Sequence, residues 1–430
     1  MNKRIYLCLA HMSGKEQAFI QEAFDTNWVV PLGPNVNGFE EDLKQFVSGT
    51  YPASVGDTAE EKGRQLREVV ALSSGTAAVH LALLACGVGP GDEVLVQSFT
   101  FCASSHPITY LGATPVFVDS EQDSWNMDPD LLEEAIKDRI AKTGKTPKAI
   151  VPVALYGMPY QIDKIMAIAN RYDIPVVEDA AEGFGSKFDG QVLGTFGHYG
   201  VLSFNGNKMI TTSGGGALVC PDAEAKQKIM WYATQARESY PYYQHEAIGY
   251  NYRMSNICAG IGRGQMTVAD EHVAHHKHVY ELYKELFAEV PGITVHGNPS
   301  ERYDSNFWLN TITIAPEIRI RNQEEAYKAV VQGAVGGAAG VVHASESAHT
   351  DCEPNDNVEA LRILLDAAGI EARPLWKPMH RQPVYKNAPA YVNGVSESLF
   401  KVGMCLPSGP YVTDEDVRYI VDTIKAAIVK

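Results

Sequence analysis

The chain has 430 residues, of which 45% are hydrophobic and 20% are charged, a balance typical of a globular protein with room for two domains. Its 36 basic and 52 acidic side chains leave a net charge of −16, which argues against DNA or RNA as a partner. The seven cysteines stand singly and no apolar run is long enough for a signal peptide or a membrane span, so we expect a cytoplasmic protein.

Short β-branched runs alternate with helical patterns between residues 69 and 220, which is typical of a mostly parallel sheet covered by helices. The clearest helical patterns cover residues 76–87 and 161–173. The predicted strands cover residues 69–72, 93–97, 115–119, 149–155, 174–179, 200–204 and 217–220. This part of the chain is predicted to be an α/β domain.

The pattern changes beyond residues 249–256. A long helical stretch runs to about residue 290, a strand-like run follows at 308–314, and a helix at 414–428 closes the chain. These features predict a smaller α+β domain, with the two domains covering residues 1–255 and 256–430. The polar segment 53–65 and the small-residue segment 333–340 are predicted to be surface insertions.

Ser74, Gly75 and Thr76 lie where an apolar strand runs directly into a helical pattern. Backbone amides at a helix N-terminus attract anions, so this turn could hold a phosphate. A plain Ser/Thr N-cap is the alternative. There is no GxGxxG motif here, which removes support for a nicotinamide cofactor.

Two acidic residues, Glu178 and Asp179, end a strand that is expected to be buried. Side-chain alternation sends them to opposite faces, so one of them faces the carboxyl edge of the sheet, where α/β proteins bind ligands. A carboxylate there needs a cationic partner, and a protonated pyridine ring would serve. The alternative is that Asp179 caps a following helix.

Lys208 lies 29 positions after Asp179, between a predicted strand and the glycines at 214–216. A lysine can form a Schiff base when its surroundings favour the neutral amine, and the glycines would let backbone approach a bound group. A solvated lysine beside a turn is the alternative. A phosphate-binding turn, an acid for a ring nitrogen and a Schiff-base lysine are together what pyridoxal 5′-phosphate requires.

Three further groups of polar residues are candidates for binding. The segment 371–385 surrounds an indole with cations, which suits a diphosphate and a base, with a basic surface loop as the alternative. Arg237 is a second substrate candidate, with a structural ion pair as the alternative. The histidines at 272, 275, 276 and 278 resemble metal-ligand spacing only loosely, and we expect them on a solvated helix face.

The motifs resemble those of the DegT/DnrJ-type sugar aminotransferases, which are fold-type I pyridoxal phosphate enzymes, and the resemblance runs nearly end to end. Within that family the chain is most similar to the UDP-N-acetylbacillosamine-type transaminases, which aminate C4 of a UDP-linked 4-keto sugar. The motifs that carry the resemblance are PLGPNVNGFE, SFTFCASSHPITYLGATPVFVD, EDAAEGFGS, SFNGNKMITTSGGG, TQARES, GYNYRMSN, RPLWKPMH and CLPSG.

The resemblance implies roles for individual residues. Lys208 would bind the cofactor covalently and act as the base, and Asp179 would bond the pyridine nitrogen. The further cofactor-binding residues implied are Ser74, Gly75, Thr76, Phe101, Glu182, Ser203, Asn205 and Asn251. The last of them would reach the phosphate across the interface of a homodimer. The implied substrate contacts are Arg237, Arg373, Trp376, Lys377 and His380.

The implied reaction moves an amino group from glutamate, which leaves as 2-oxoglutarate, to a UDP-linked keto sugar for a surface glycan. Amination at C3 of a dTDP- or GDP-linked keto sugar stays open, as does a non-catalytic protein of the same fold. Sugar-deoxygenating relatives replace the lysine with histidine, so Lys208 argues against that chemistry. The segments 53–65 and 330–357 are longer than in the relatives, which puts the local fit of the substrate in doubt.

Overall fold

The computed structural model describes residues 4–49, 67–325 and 352–429, so the predicted insertions at 53–65 and 333–340 lie outside the described residues. The α-helices within these ranges are α1 (Glu16–Asp25), α2 (Pro34–Ser48), α3 (Gly75–Ala85), α4 (His106–Tyr110), α5 (Pro129–Thr143), α6 (Ile162–Tyr172), α7 (Ala223–Ala233), α8 (Asn256–Met266), α9 (Ala269–Phe287), α10 (Asp356–Ala367), α11 (Val395–Val402) and α12 (Asp414–Ala427).

Strands alternate with these helices over the first half of the chain. They are β1 (Glu68–Leu72), β2 (Glu93–Gln97), β3 (Thr114–Val118), β4 (Ala149–Val151), β5 (Val177–Asp179), β6 (Lys187–Phe188), β7 (Gln191–Val192), β8 (Tyr199–Ser203), β9 (Gly216–Cys220), β10 (Ile293–Val295), β11 (Tyr303–Asp304), β12 (Asn310–Ile314), β13 (Arg319–Ile320), β14 (Arg373–Pro374), β15 (Ala390–Tyr391), β16 (Gly403–Leu406) and β17 (Ile428–Val429).

The main sheet consists of two four-stranded parts that continue into each other. One part has the order β1-β9-β8-β5 and the other the order β15-β3-β2-β4. Parallel bridges from Ile150 to Val176 and from Val153 to Asp179 join β4 to the β5 segment. Within this sheet β9 runs antiparallel to both of its neighbours, and the other pairings are parallel. The predicted α/β fold with a mostly parallel mixed sheet is confirmed.

Helix α3 lies centrally under this sheet and has apolar residues on nearly all sides. Its buried residues include Val79, Leu81 and Leu83, and they pack in one apolar cluster with Val70 and Leu218 of the sheet. A helix that is apolar on nearly all sides is buried on nearly all sides. Packing of α3 against the sheet places its N-terminus at the carboxyl ends of β1 and β8.

The predicted strand at 149–155 is shorter in the structure. Strand β4 ends at Val151 because Pro152 has no amide hydrogen for the sheet ladder. The chain instead turns at Leu155–Gly157, where Tyr156 adopts a left-handed conformation with φ of 55°. This turn brings the backbone of Tyr156 next to the end of β5.

A smaller antiparallel sheet has the order β10-β12-β16-β14. It packs against α9, α10 and α12 around a second apolar cluster that includes Ile312, Leu361 and Ile420. The chain crosses the predicted boundary at 255/256 in both directions, because Ile5 lies in this second cluster and β15 joins the main sheet. The division into 1–255 and 256–430 stays a prediction.

The expectation of a solvated helix face holds for His278, which is exposed on α9, and is wrong for two of the other histidines. His272 and His276 are buried because the helix packs against both apolar clusters, and their Nδ1 atoms lie 3.0 and 3.2 Å from the carbonyl oxygens of Met209 and Phe307. Burial lowers the pKa of His276 to about 3, so this imidazole is neutral. The described residues contain no cluster of side chains suited to a metal ion. None of their helices is long and apolar enough to cross a membrane.

Candidate active site

A cavity of about 350 Å³ opens at the carboxyl ends of β1, β2, β5 and β8, where α/β folds bind small molecules. Its walls come from the β1–α3 turn, the segment after β2, the end of β5 and the β8–β9 connection, with Trp308 and Trp376 closing it. The predicted cofactor residues that line it are Ser74, Gly75, Thr76, Phe101, Asp179, Glu182, Ser203, Asn205 and Lys208. The structure therefore brings together residues that lie far apart in the sequence.

The start of α3 forms one wall of the cavity. Ser74 is the N-cap, and its Oγ accepts a hydrogen bond from the amide of Ala77 at 3.0 Å. The helix start packs closely on the end of β8, since a Cβ on Gly75 would lie 3.0 Å from the Cβ of Ser203. Ser74 is thus an N-cap and a cavity residue at once. The first helical turn faces the cavity, as a phosphate site requires.

The three glycines after Lys208 have different reasons for being there. Gly216 pairs with Leu72, and a Cβ on it would lie 2.5 Å from the carbonyl carbon of Ser74. A Cβ on Gly215 would clash with Thr212 and lie 2.6 Å from the methyl carbon of Met254. Gly214 has open space around it and lines the cavity. Backbone packing beneath the helix start therefore explains Gly216, and crowding by two side chains explains Gly215.

Asp179 is buried and faces the cavity, while Glu178 points to the opposite face of the sheet, as alternation predicted. Asp179 Oδ2 accepts a hydrogen bond from Ser104 Oγ at 2.6 Å, and Asp179 Oδ1 accepts one from the amide of Ala181 at 3.1 Å. No helix follows Asp179, so the N-cap alternative does not apply.

Burial raises the pKa of Asp179, although the hydrogen bond from Ser104, the amide of Ala181 and the charge of Lys208 act in the opposite direction. The charge of Glu182 raises the pKa of Asp179 further. A buried carboxylate with such a pKa is short of positive charge. The site therefore fits a group that brings a cationic N–H, such as a protonated pyridine nitrogen.

The side chain of Lys208 lines the cavity and is largely buried, so Lys208 is not a solvated loop lysine. Its side chain is 13% exposed, and Nζ lies 3.2 Å from Glu182 Oε1. The same Nζ lies 3.8 Å from the centre of the Trp308 ring. The other carboxylate oxygen of Glu182 accepts a hydrogen bond from the amide of Tyr156 at 2.7 Å. The amine, Glu182 and Asp179 thus lie around the same space.

Sequence reasoning missed three residues of the site. Ser104 bonds Asp179, Tyr156 bonds Glu182 through its amide, and Trp308 covers Lys208. Ser104 lies inside a motif that carried the family resemblance, but neither its spacing nor its type marks it as a partner of Asp179. Trp308 begins a strand-like run and gives no local signal at all.

The predicted substrate contacts are not gathered at the cavity, and their role toward a substrate stays a prediction. Only Trp376 lines it, with its ring centre 6.5 Å from that of Phe101. Arg373 instead bonds Glu371, and His380 lies between Ser98 and Glu397. The remaining predicted contacts that do not line the cavity are Arg237, whose guanidinium lies 4.3 Å from the Tyr243 ring centre, and Lys377.

Two of these side chains have acidic partners of their own, because Arg373 pairs with Glu371 and His380 lies next to Glu397. Pairing of β14 with β16 also places Arg373 on the smaller sheet. Asn251 is exposed and lies outside the cavity of its own chain. Its predicted role across a dimer interface stays a prediction.

The family model for the DegT/DnrJ/EryC1/StrS aminotransferases matches residues 11–340 and 343–425 of the chain. The chain belongs to this family. A relative from Bacillus subtilis (strain 168), named "Putative pyridoxal phosphate-dependent aminotransferase EpsN", is 41% identical over 99% of this chain and 96% of its own length. A GDP-perosamine synthase from Escherichia coli O157:H7 is 33% identical over 96% of this chain and 95% of its own length.

Solved structures of DegT/DnrJ/EryC1/StrS aminotransferases share the fold. One from Brucella abortus superposes with a TM-score of 0.79 and 27% identity, over 97% of this chain and 96% of its own. The predictions of the family, of the fold and of an aminotransferase are confirmed.

Proposed function

We propose that this DegT/DnrJ/EryC1/StrS aminotransferase uses pyridoxal 5′-phosphate to move an amino group from glutamate to the keto carbon of a nucleotide-linked sugar. One observation carries the proposal: Lys208 and Asp179 face the same cavity, and a helix N-terminus forms a third wall. Pyridoxal phosphate as cofactor agrees with the name of the Bacillus relative.

The residues of the cavity fit separate tasks. When bound, pyridoxal phosphate supplies an electron sink for the carbanion formed at the reacting carbon. Asp179 would keep the ring nitrogen protonated, and the turn of Ser74 to Thr76 together with Ser203 would hold the phosphate. Phe101, which is 57% exposed and lines the cavity, would cover one face of the ring.

Lys208 is the base of the reaction. Its Nζ is the only lysine nitrogen among the described residues that line the cavity, so it takes the proton from the amino-bearing carbon of glutamate. In the second half of the reaction, the same nitrogen delivers a proton to the carbon that carried the keto group. Glu182, which accepts a hydrogen bond from this nitrogen, steadies its charged form.

The sugar that we propose is a UDP-linked 4-keto-6-deoxy-N-acetylhexosamine aminated at C4, as the motif resemblance implies. A GDP-linked keto sugar is the second candidate, because the relative named GDP-perosamine synthase matches nearly the whole chain. We further propose a cytoplasmic homodimer that serves surface glycan synthesis, with Asn251 of each subunit reaching the site of the other.

The covalent role of Lys208 is tested by Lys208→Ala, with the exposed Lys164→Ala as the matched control. We expect the control to keep the visible absorbance of the bound cofactor and to carry the cofactor on the Lys208 peptide after borohydride reduction. Lys208→Ala loses both signals. If its absorbance is unchanged, the assignment of Lys208 is wrong.

The substrate is tested by incubating the wild type with glutamate and UDP-, GDP- and dTDP-linked keto sugars. We expect 2-oxoglutarate release with the UDP-linked 4-keto sugar, and NMR of the product identifies the aminated carbon. Release with the GDP-linked sugar alone selects the second candidate. No release with any of them contradicts the proposed function.

A further inference from the structure

We propose that Trp308 and Glu182 form a resting site for the ammonium of Lys208, the position that the amine takes between proton transfers, when it is not bound to the cofactor. The inference deepens the proposed function and rests on it for its meaning in the reaction. Trp308 is then a positioning residue, which acts on the reaction only through Lys208.

The contacts of Nζ are those of a cation. The nitrogen lies 3.8 Å from the Trp308 ring centre and 3.2 Å from Glu182 Oε1. An indole face is the strongest aromatic partner for a cation, and the attraction increases when water is excluded. The lysine side chain is 13% exposed and Trp308 is 1% exposed, so both contacts are made largely out of water.

Both partners of the amine are fixed by one buried side chain, Asn306. Its Nδ2 donates to the carbonyl oxygen of Glu182 at 2.9 Å, and its Oδ1 accepts from the amide of Trp308 at 2.8 Å. The indole Nε1 donates to the carbonyl oxygen of Asn207 at 2.7 Å, which ties the ring to the residue before Lys208. The site is thus built in advance and does not depend on the lysine being there.

Other titratable groups near the amine do not take over this role. Those whose charge interacts with Lys208 include Asp179, which is directed to Ser104 and Ala181, and Cys8. Burial raises the pKa of Cys8 to about 12, so its thiol is neutral at neutral pH. Glu182 is therefore the negative charge in contact with the ammonium, and Trp308 covers it from another side.

A resting site has a function in a reaction that frees and rebinds the same amine. The amine must stay within reach of the reacting carbon, and it must not wander into solvent between proton transfers. An indole face holds a cation without taking its proton, whereas a second carboxylate could accept one. Trp308 therefore retains the amine and leaves its chemistry intact.

The test measures the amine itself and needs no cofactor turnover. The cofactor-free full chain is labelled with isotopic acetic anhydride at a series of pH values, and mass spectrometry of the Lys208 peptide gives the labelling rate. The variants are Trp308→Leu, Trp308→Phe and Glu182→Gln. Trp376→Leu, which removes an indole from the same cavity without touching Lys208, is the matched control.

We expect Trp308→Leu to move the midpoint of the labelling profile down by about one pH unit and to speed labelling near neutral pH about tenfold. Trp308→Phe gives a smaller shift, Glu182→Gln shifts the midpoint in the same direction, and the control has the wild-type profile. An unchanged midpoint in a folded Trp308→Leu overturns the proposal, as does an equal shift in the control.

Should Trp308→Leu fail to fold, Trp308→Phe decides: a midpoint like that of the wild type overturns the resting site. The result is independent of the proposed function, because labelling uses the amine of the bare chain. Failure of the wild type to bind pyridoxal phosphate sinks the proposed function and leaves the labelling result standing.

Discussion

The charged form of Asp179 is unfavourable in the cofactor-free chain because the carboxylate is buried, and a bound cation would offset that cost. Its pKa is raised by burial, so the folded chain without cofactor holds the Asp179 proton more tightly than the unfolded chain does. Stability from such a group is fully present below the unfolded pKa of about 3.9 and is lost as the pH rises through the folded pKa. At neutral pH the bare chain is thus destabilised by this carboxylate.

We therefore expect Asp179→Asn to make the cofactor-free chain more stable than the wild type at neutral pH, with a difference that vanishes in acid. The same change should lower kcat of the glutamate half-reaction by roughly 100- to 1,000-fold. The reason is that the ring nitrogen loses the carboxylate that keeps it protonated. Thermal melts over pH and single-turnover kinetics measure the two effects. Asp222→Asn, at an exposed N-cap, is the control. Equal stability of Asp179→Asn and the wild type contradicts the argument.

Gly216 and Gly214 give a second matched pair at the scale of single residues. Gly216→Ala places a methyl group against the backbone of Ser74 and Gly75, so we expect the free energy of unfolding to fall by about 1–3 kcal/mol or more. Gly214→Ala meets nothing within 4 Å and should change stability little. Urea denaturation of both variants checks this, and equal losses would remove the packing explanation.

The sequence could predict the residues that follow strand ends, because the carboxyl ends of neighbouring parallel strands meet at one edge of the sheet. Lys208, Asp179 and the turn at Ser74 all reach one cavity for this reason. Trp308 could not be predicted in the same way, because its partner Asn207 lies 101 positions earlier and no spacing rule links them.

At the scale of elements, a chain of hydrogen bonds joins the segment that holds Trp376 to the end of β2. Ser98 Oγ lies 2.6 Å from His380 Nδ1 and accepts from the amide of His380 at 3.2 Å. His380 Nε2 lies 3.1 Å from Glu397 Oε1. Ser98 is fully buried, so this arrangement is a structural link and not a nucleophile with its base.

Ser98→Ala should therefore loosen the Trp376 segment. It leaves two groups of His380 without their partner, and we expect a loss of about 1–3 kcal/mol in the free energy of unfolding. Ser105→Ala, a buried serine with a bond to the nearby Cys102 carbonyl oxygen, is the control and should cost less. Denaturant titration measures both variants. If Ser98→Ala lowers the free energy of unfolding no more than the control does, the link does not contribute to stability.

The element bounds show where periodicity stops being informative. The prediction of 93–97 for β2 agrees with the structure, whereas 149–155 overran β4 because an apolar run continues past Pro152. The apolar run is real, but it changes from a strand to a turn at the residue that lacks an amide hydrogen. Hydrophobic pattern alone does not distinguish the two.

At the scale of the whole molecule, the proposed exchange of Asn251 between subunits has a direct test. Lys208→Ala and Asn251→Asp chains should each be inactive, the second because a carboxylate repels the cofactor phosphate. Refolded together in equal amounts, they form mixed dimers with one intact site each, so about a quarter of the wild-type activity should return. No recovery despite mixed dimers would place Asn251 outside the partner's site.

The main sheet contains a strand from late in the chain, β15, which can pair only after most of the chain has been synthesised. Strand β15 adds to the outer side of β3, with the amide of Phe117 donating to Pro389 and that of Asp119 to Tyr391 at 2.9 and 3.0 Å. While the ribosome is still making the chain, β3 has no neighbour on that side and presents a bare row of backbone groups to other nascent chains. A stop codon shortly before residue 390 would make that exposure permanent.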